Sequence, residues 1–401
     1  MLLFGLALPT TALLAGCTPD AVDPLLPTSS PVPTAGPTAH AQNTAVPFAR
    51  TSSFGPNGTH YPIDLTWLGG EAVVELEADC SWEAITYVVS TLTAEQVAAG
   101  AAVRVKPGRL IGRGNGSSRN PVLADLGDPS WTRNVLICPR DGYGSVTVEE
   151  AGIRLDKCHR LSLFGFTGPD VGIVLTECSD LHLGWGQWTS LGITRGGARI
   201  ELYELVLGFR RDPDDTFGIR PTDSLEMTDI SRHGCAFGPS VKPEGSSAHC
   251  DTAQLEGTGN GVFGPFLSYD CVDFGSSNAA LLLHTAVTRA EFHHSLILGS
   301  TLPWEIYPLQ AGDYPGEPNA FSGGALDVRL YDSKVVGAIG RLGYTHVVNS
   351  ALSYEPADRQ RASVEGDWTV DESMNLWNAS DIMSMTGTDY SPASLAAIWS
   401  W

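Results

Sequence analysis

Between residues 150 and 230 the apolar positions recur in short alternating runs, not at helical spacing. Gly152-Ile153-Arg154-Leu155, Gly172-Ile173-Val174-Leu175 and Gly192-Ile193-Thr194-Arg195 open segments 20 residues apart, and Gly218-Ile219-Arg220 follows 26 later. Each Gly-Ile pair starts a short strand. After a polar turn a second alternation follows, as in Leu161-Ser162-Leu163, Leu181-His182-Leu183, Ile200-Glu201-Leu202 and Leu225-Glu226-Met227. Two or three strands per segment, with turns between and no amphipathic helix, describe one coil of a parallel β-solenoid. Longer coils are legible in 251–257, 279–284, 325–330 and 344–351. Their insertions read as loops, which in a solenoid gather on one functional face. Residues 134–355 are thus expected to stack, with Ile153, Ile173 and Ile193 in one inward column.

Upstream, Ser81-Trp82-Glu83-Ala84 reads as a helix N-cap, followed by Ile85, Val88, Val89 and Leu92 on one face. Val103-Arg104-Val105-Lys106-Pro107-Gly108 comes next. This order resembles the N-terminal cover of pectin-lyase-like β-helices, in which a helix plugs the open end of the first coil. The stretch from Asp367-Trp368-Thr369 to Trp377-Asn378 is similar to the segment that covers the last coil. The resemblance spans roughly 81–377. It implies an all-β fold, a right-handed single-stranded parallel β-helix with an N-terminal capping helix.

The chain has 401 residues, 24 basic against 45 acidic, for a net charge of −21. Such a balance repels phosphate backbones and excludes nucleic acid as a partner. The uncharged apolar run 1–17 ends in Leu14-Ala15-Gly16-Cys17, too short to span a bilayer. It resembles the bacterial lipobox, which implies lipidation at Cys17 and an extracytoplasmic protein, membrane-anchored or secreted, touching the membrane only through a lipid anchor. Residues 18–60, rich in Pro, Thr and Ser, read as a disordered tether. A globular β-helix domain with N- and C-terminal caps is expected over 61–401.

Seven further cysteines remain: Cys80, Cys138, Cys158, Cys178, Cys235, Cys250 and Cys271. The 20-residue register puts Cys158 and Cys178 one strand spacing apart, compatible with a disulfide or with a buried ladder of thiols. A Cys80–Cys138 bridge would pin the capping helix. No spacing points to zinc, and no structural metal is assigned.

One local cluster carries candidate chemistry. His249-Cys250-Asp251-Thr252-Ala253-Gln254 resembles the H-x-D-x-x-Q stretch on a central coil of bacterial parallel β-helix proteins, some of which degrade polysaccharides. Alternation turns Ala253 and Leu255 inward and Gln254 and Glu256 outward. Aligning the coils puts Arg154, Val174, Thr194, Arg220, Gln254 and Leu282 on one outward stripe, with His249 and Asp251 at its edge. Lys242 precedes the motif as a candidate base. Asp270 and Asp273 offer carboxylates for acid–base work with Asp251, or a possible Ca²⁺ site; no other cofactor is indicated. Arg289 and His293 follow one coil later, and Trp304 and Tyr307 offer rings for stacking on sugars. The expectation is a protein acting on a polysaccharide, as a lyase or a glycoside hydrolase, or binding it without cleavage as an adhesin does. Catalysis would fall to His249, Asp251, Asp270 and Lys242. Binding would fall to Gln254, Arg220, Asp273, Arg289, His293, Trp304 and Tyr307.

Overall fold

The computed structural model describes residues 61, 72–116, 120–222, 225, 227–257, 260–340, 342–356 and 364–399. The leader, the lipobox Cys17 and the 18–60 tether lie outside the described residues. The alternating runs form three stacked columns of parallel strands, wound as a right-handed parallel β-helix. The first column holds Ile153–Asp156, Phe217–Arg220, Asp251–Leu255, Ala279–Leu283 and Asn319–Gly323. The second begins at Val74–Ala78 and Ala101–Val105. It continues through Val135–Pro139, His159–Phe164, Met227–His233, Phe266–Tyr269, Ala290–His293, Val328–Tyr331 and Tyr344–Val348. The third runs from Ala236–Phe237 through Val272–Phe274, Leu296–Leu298, Lys334–Val336 and Ser350–Leu352 to Trp368–Val370. The extended stretch Gly168–Leu207 passes through all three.

Ile153 pairs with Ile173 and Ile193 with Ile219, all buried. The expected single column of Ile153, Ile173 and Ile193 is not formed: the coil between is two residues short of the Gly-Ile spacing, the Thr176 and Thr194 hydroxyls meet at 3.3 Å, and Ile193 follows Leu175. Farther along, aromatic rings fill the coil, with Phe266–Phe292 and Phe292–Phe321 centroids 6.2 and 5.5 Å apart. The corner between the second and third columns is a single left-handed residue in successive coils: Asp270, His294, Asp332 and Asn349. These are the side chains that tolerate that conformation best after glycine. The next residue turns inward and links the coils. Cys235 N donates to Cys271 Sγ, Cys271 N to Ser295 Oγ, Ser295 N to Ser333 Oγ, and Ser333 N to Ser350 Oγ. All seven described cysteines are thiols. The ladder, not the disulfide, is what this structure holds at Cys158 and Cys178, and Cys80 and Cys138 are unbridged.

The capping helix spans Trp82–Ser90, with Ser81 Oγ accepting from Ala84 N at 3.1 Å. Trp82, Ile85 and Val89 are buried against the coil end. A second helix, Ala94–Ala99, carries a capping box between Thr93 and Gln96.

At the other end, Trp368–Val370 is the last rung of the third column. The chain then turns back as helices Ala379–Thr386 and Pro392–Ile398, lying lengthwise on that column's outer face. The expected cover for the last coil is therefore a strap along the flank. Its anchors are Trp377 against Lys334, Tyr390 against Phe274, and Trp399 against Tyr143. Buried Glu204 accepts from Trp399 Nε1 at 3.2 Å and from Tyr61 N at 2.8 Å, tying both approaches to one carboxylate.

Candidate functional site

The sequence cluster lands on the outer face of the first column, where the chain enters the strand from a long loop. Asp251 opens its strand with its carboxylate buried. Asn278 Nδ2 donates to Oδ1 at 2.6 Å, and exposed His249 places Nδ1 3.2 Å from Oδ2. The Asp251 backbone N–H donates to Asp215 Oδ1 at 3.0 Å, which brings a second carboxylate beneath the site. Arg220 Nη2 donates to Asp215 Oδ2 at 3.1 Å and to Gln254 Oε1 at 2.9 Å, while Nη1 bonds Glu256. His284 Nε2 lies 3.6 Å from Glu256 Oε2 on the next coil.

The register corrects the outward stripe by one row. Gln254 pairs with Gly218 and Leu282, so Arg154, Val174, Gly218, Gln254 and Leu282 share one row. Thr194 pairs with Arg220, and the partner next to Arg220 is Glu256. Arg220 still reaches Gln254 because its side chain leans across the rows.

Burial pushes the Asp251 carboxyl up to about 6, against the Asn278 hydrogen bond and His249, which pull it down; Asp215 adds to the rise. Burial also raises Asp215, though the Asp251 backbone N–H and Arg220 oppose it. The Asp215 carboxylate disfavours a second negative charge at Asp251. The folded chain holds the Asp251 proton more tightly than the unfolded chain. Stability from the protonated form is therefore complete below about pH 4 and is lost as the pH climbs through about 6. Asp251→Asn is expected to flatten that stretch of a plot of denaturant midpoint against pH. An unchanged slope would remove Asp251 as its source.

Other expected site residues are placed elsewhere. Asp270 is the left-handed corner between the second and third columns, and its Oδ2 accepts from Tyr61 OH. It is not brought together with Asp251. Asp273 points inside the coil with no exposure and is held bidentately by Arg232, Nη1 to Oδ1 at 2.6 Å. No sugar reaches it there, so its place as a binding residue is corrected. His293 lies in a ladder of rings on the second column, Tyr203–His233–Tyr269–His293–Tyr331, with centroids 4.6 to 5.1 Å apart. Its faces are covered by Tyr269 and Tyr331, so only its edge meets solvent. Arg289 Nε sits 3.1 Å from Glu291 on the same column.

The loop residues form a wall instead. Lys242 Nζ donates to Ala248 O at 2.9 Å and lies 4.8 Å from the Tyr314 ring. Pro243 bridges Asp313, which joins the loop preceding Asp251 to the loop 299–318. Tyr307 packs under Arg211, 4.5 Å from its ring centroid, and Trp304 Nε1 donates to Gly316 O at 2.8 Å. Both rings brace the loop. Asp215, Asn278 and His284 carry no sequence signal for the site. Glu256 is readable as outward beside Gln254, but its alternation alone assigns it no role. Among the described residues no group of His, Cys, Asp and Glu is arranged to hold a metal, the Asp270–Asp273 pair included.

No family model matches the chain, and no curated protein does either. Similar solved structures include the catalytic domain of GH87 alpha-1,3-glucanase in complex with tetrasaccharides, at 7% identity and a TM-score of 0.33. That match covers 75% of this chain and 68% of the other. The A-module of the Azotobacter vinelandii mannuronan C-5 epimerase AlgE4 matches at 9% identity and a TM-score of 0.29, over 72% and 91% of the two chains.

Proposed function

We propose that this chain is a carbohydrate-acting β-helix protein that hydrolyses a neutral glycan on the outer face of its first column. His249 exchanges a proton with the substrate, Asp251 is the buried carboxylate that positions it, and Glu256 is the carboxylate facing the reacting sugar. The observation that carries this reading is the pairing of a carboxyl raised to about 6 with an exposed imidazole 3.2 Å away. A group that gains and loses a proton near neutral pH is what acid–base cleavage requires.

β-Elimination on a uronate would need a cation uncommitted at the sugar carboxylate. Arg220 is already matched by Asp215 and Glu256, so the face is acidic and favours an uncharged sugar. Export and a lipid anchor at Cys17 belong to the same proposal, resting on Leu14-Ala15-Gly16-Cys17.

The test is incubation with a panel of neutral and acidic polysaccharides, reading reducing ends and ultraviolet absorbance together. New reducing ends on a neutral glycan without absorbance are expected. Absorbance from unsaturated uronates would replace hydrolysis by elimination, and retention of a glycan with neither signal would make the protein a binder.

A further inference from the structure

The corner between the second and third columns carries two thiols where its later coils carry hydroxyls. Ala236 pairs with Val272 and Phe237 with Asp273, so Cys235 and Cys271, the residues just before them, stand opposite each other on adjacent coils. Both turn inward, at 1% exposure and none. Parallel neighbours stand about 4.8 Å apart, inside the Cα range of about 4.4–6.8 Å that a disulfide spans. The Cys235 N–H already reaches Cys271 Sγ at 3.4 Å, and the two thiols lie within hydrogen-bonding reach of each other.

Ser295, Ser333 and Ser350 do the same coil-to-coil work farther along, accepting from the preceding backbone N–H at 3.4, 3.0 and 3.1 Å. A thiol is the weaker acceptor, so the ladder alone gives no reason for sulfur at two successive rungs. The surroundings also divide the pair. Burial opposes charge on Cys271, but the Cys235 thiol and the Arg232 guanidinium outweigh it and hold its pKa below the usual thiol value. Burial and the Cys271 sulfur keep the proton on Cys235. One sulfur favoured as thiolate beside a protonated partner is the arrangement that exchanges with a disulfide.

We propose that Cys235 and Cys271 are a disulfide-forming site that closes the coil carrying His249 and Asp251 into a covalent ring. The co-reactant is a second disulfide, of a small thiol such as glutathione or of a dithiol oxidase. The Cys271 thiolate attacks one of its sulfurs and expels the other as a thiolate. Cys235 then gives up its proton to the expelled thiolate and attacks Cys271 Sγ, which breaks the mixed disulfide and releases the second thiol. One S–S bond forms in the protein, one breaks in the oxidant, and the oxidant leaves as two thiols. Because neither sulfur is exposed, the exchange precedes the packing of this coil. The two cysteines are 36 positions apart, and the segment between them includes the insertion 238–248. A coil lengthened in this way has more chain entropy to lose on closing, and a cross-link removes part of that loss from the unfolded state. The chemistry stands independently of the glycan reading.

The test refolds the full chain with oxidised glutathione or with dithiothreitol, alkylates the remaining thiols under denaturing conditions and cleaves after glutamate. Cuts after Glu244 and Glu256 put Cys235, Cys250 and Cys271 on separate peptides. The oxidised sample is expected to give a joined mass holding Cys235 and Cys271, and a melting temperature about 3 °C or more above that of the reduced sample. Cys235→Ser combined with Cys271→Ser should fold and lose that shift, since serine already fills the same ladder position at Ser295, Ser333 and Ser350. Cys158→Ser combined with Cys178→Ser should keep it. Full alkylation of Cys235 and Cys271 after oxidation, or either of them joined to Cys250, would overturn the proposal. So would a shift that survives the first double variant or disappears in the second.

Discussion

Asp273→Ala should cost about 3–5 kcal/mol of stability, the penalty for leaving one member of a buried ion pair alone. Arg232 has no exposure, and its guanidinium carbon sits 4.9 and 5.2 Å from the rings of Phe237 and Phe266. Burial works against its charge, and Asp273 overcomes it, holding the pKa above the ordinary value. Ser268 Oγ accepts from Nε at 3.0 Å, and the remaining compensation comes from Asp273. Without that carboxylate the coil would hold an unneutralised cation among phenylalanines. Arg232→Met with Asp273→Leu should recover most of the loss, since a well-packed apolar pair replaces a buried ion pair at little cost. Denaturant midpoints of the three chains check this. A loss under about 1 kcal/mol in Asp273→Ala would mean that water reaches the pair.

His249→Ala is expected to lower turnover by about 100-fold or more, the usual share of a general acid or base. Its ring is 62% exposed on a loop, so the melting temperature should hold. Asp251→Asn should also lower turnover. Because Asp251 acts through the imidazole, the acid limb of the pH–rate profile should shift in that variant while KM changes little. Loss of stability in Asp251→Asn at full activity per folded molecule would reduce it to a turn cap, with Asn278 as its partner. That outcome would favour glycan binding without cleavage.

The solenoid was legible because Gly-Ile recurs at a spacing that matches the observed register at Ile153 and Ile173. Spacing failed first inside the regular stretch, where Thr176 meets Thr194 and the coil is two residues short of the Gly-Ile spacing. It failed again across the loop between Arg220 and Gln254, and the stripe slipped by one row. Parity failed at the corners for a different reason. Tyr269-Asp270-Cys271-Val272-Asp273 reads as one alternating strand, yet left-handed Asp270 resets the alternation, so Asp273 points in while Tyr269 points out. Arg220 does meet Gln254, at 2.9 Å, whereas buried Asp251 is linked to Arg220 only through Asp215. Asn278 and Asp215 arrive from neighbouring coils through turns without periodicity. The capping box at Thr93 and Gln96 was a local signal and could have been read. The C-terminal strap carried local signals too, Asn378 with Asp381 and Ser391 before Pro392, but not where its helices dock, because their apolar residues match a surface far away in sequence.

That strap makes the molecule a ruler. A stack of coils can in principle grow or shrink by whole rungs, since each touches only its neighbours. Here Trp377, Tyr390 and Trp399 are fixed to rungs at Lys334, Phe274 and Tyr143, in reverse order of the chain. Inserting or deleting one coil between those anchors would displace them by about 4.8 Å, enough to unseat an aromatic ring from its socket. The number of rungs is thus a quantised property held by the last residues of the chain, and any lengthened relative of this architecture must lengthen its strap in step.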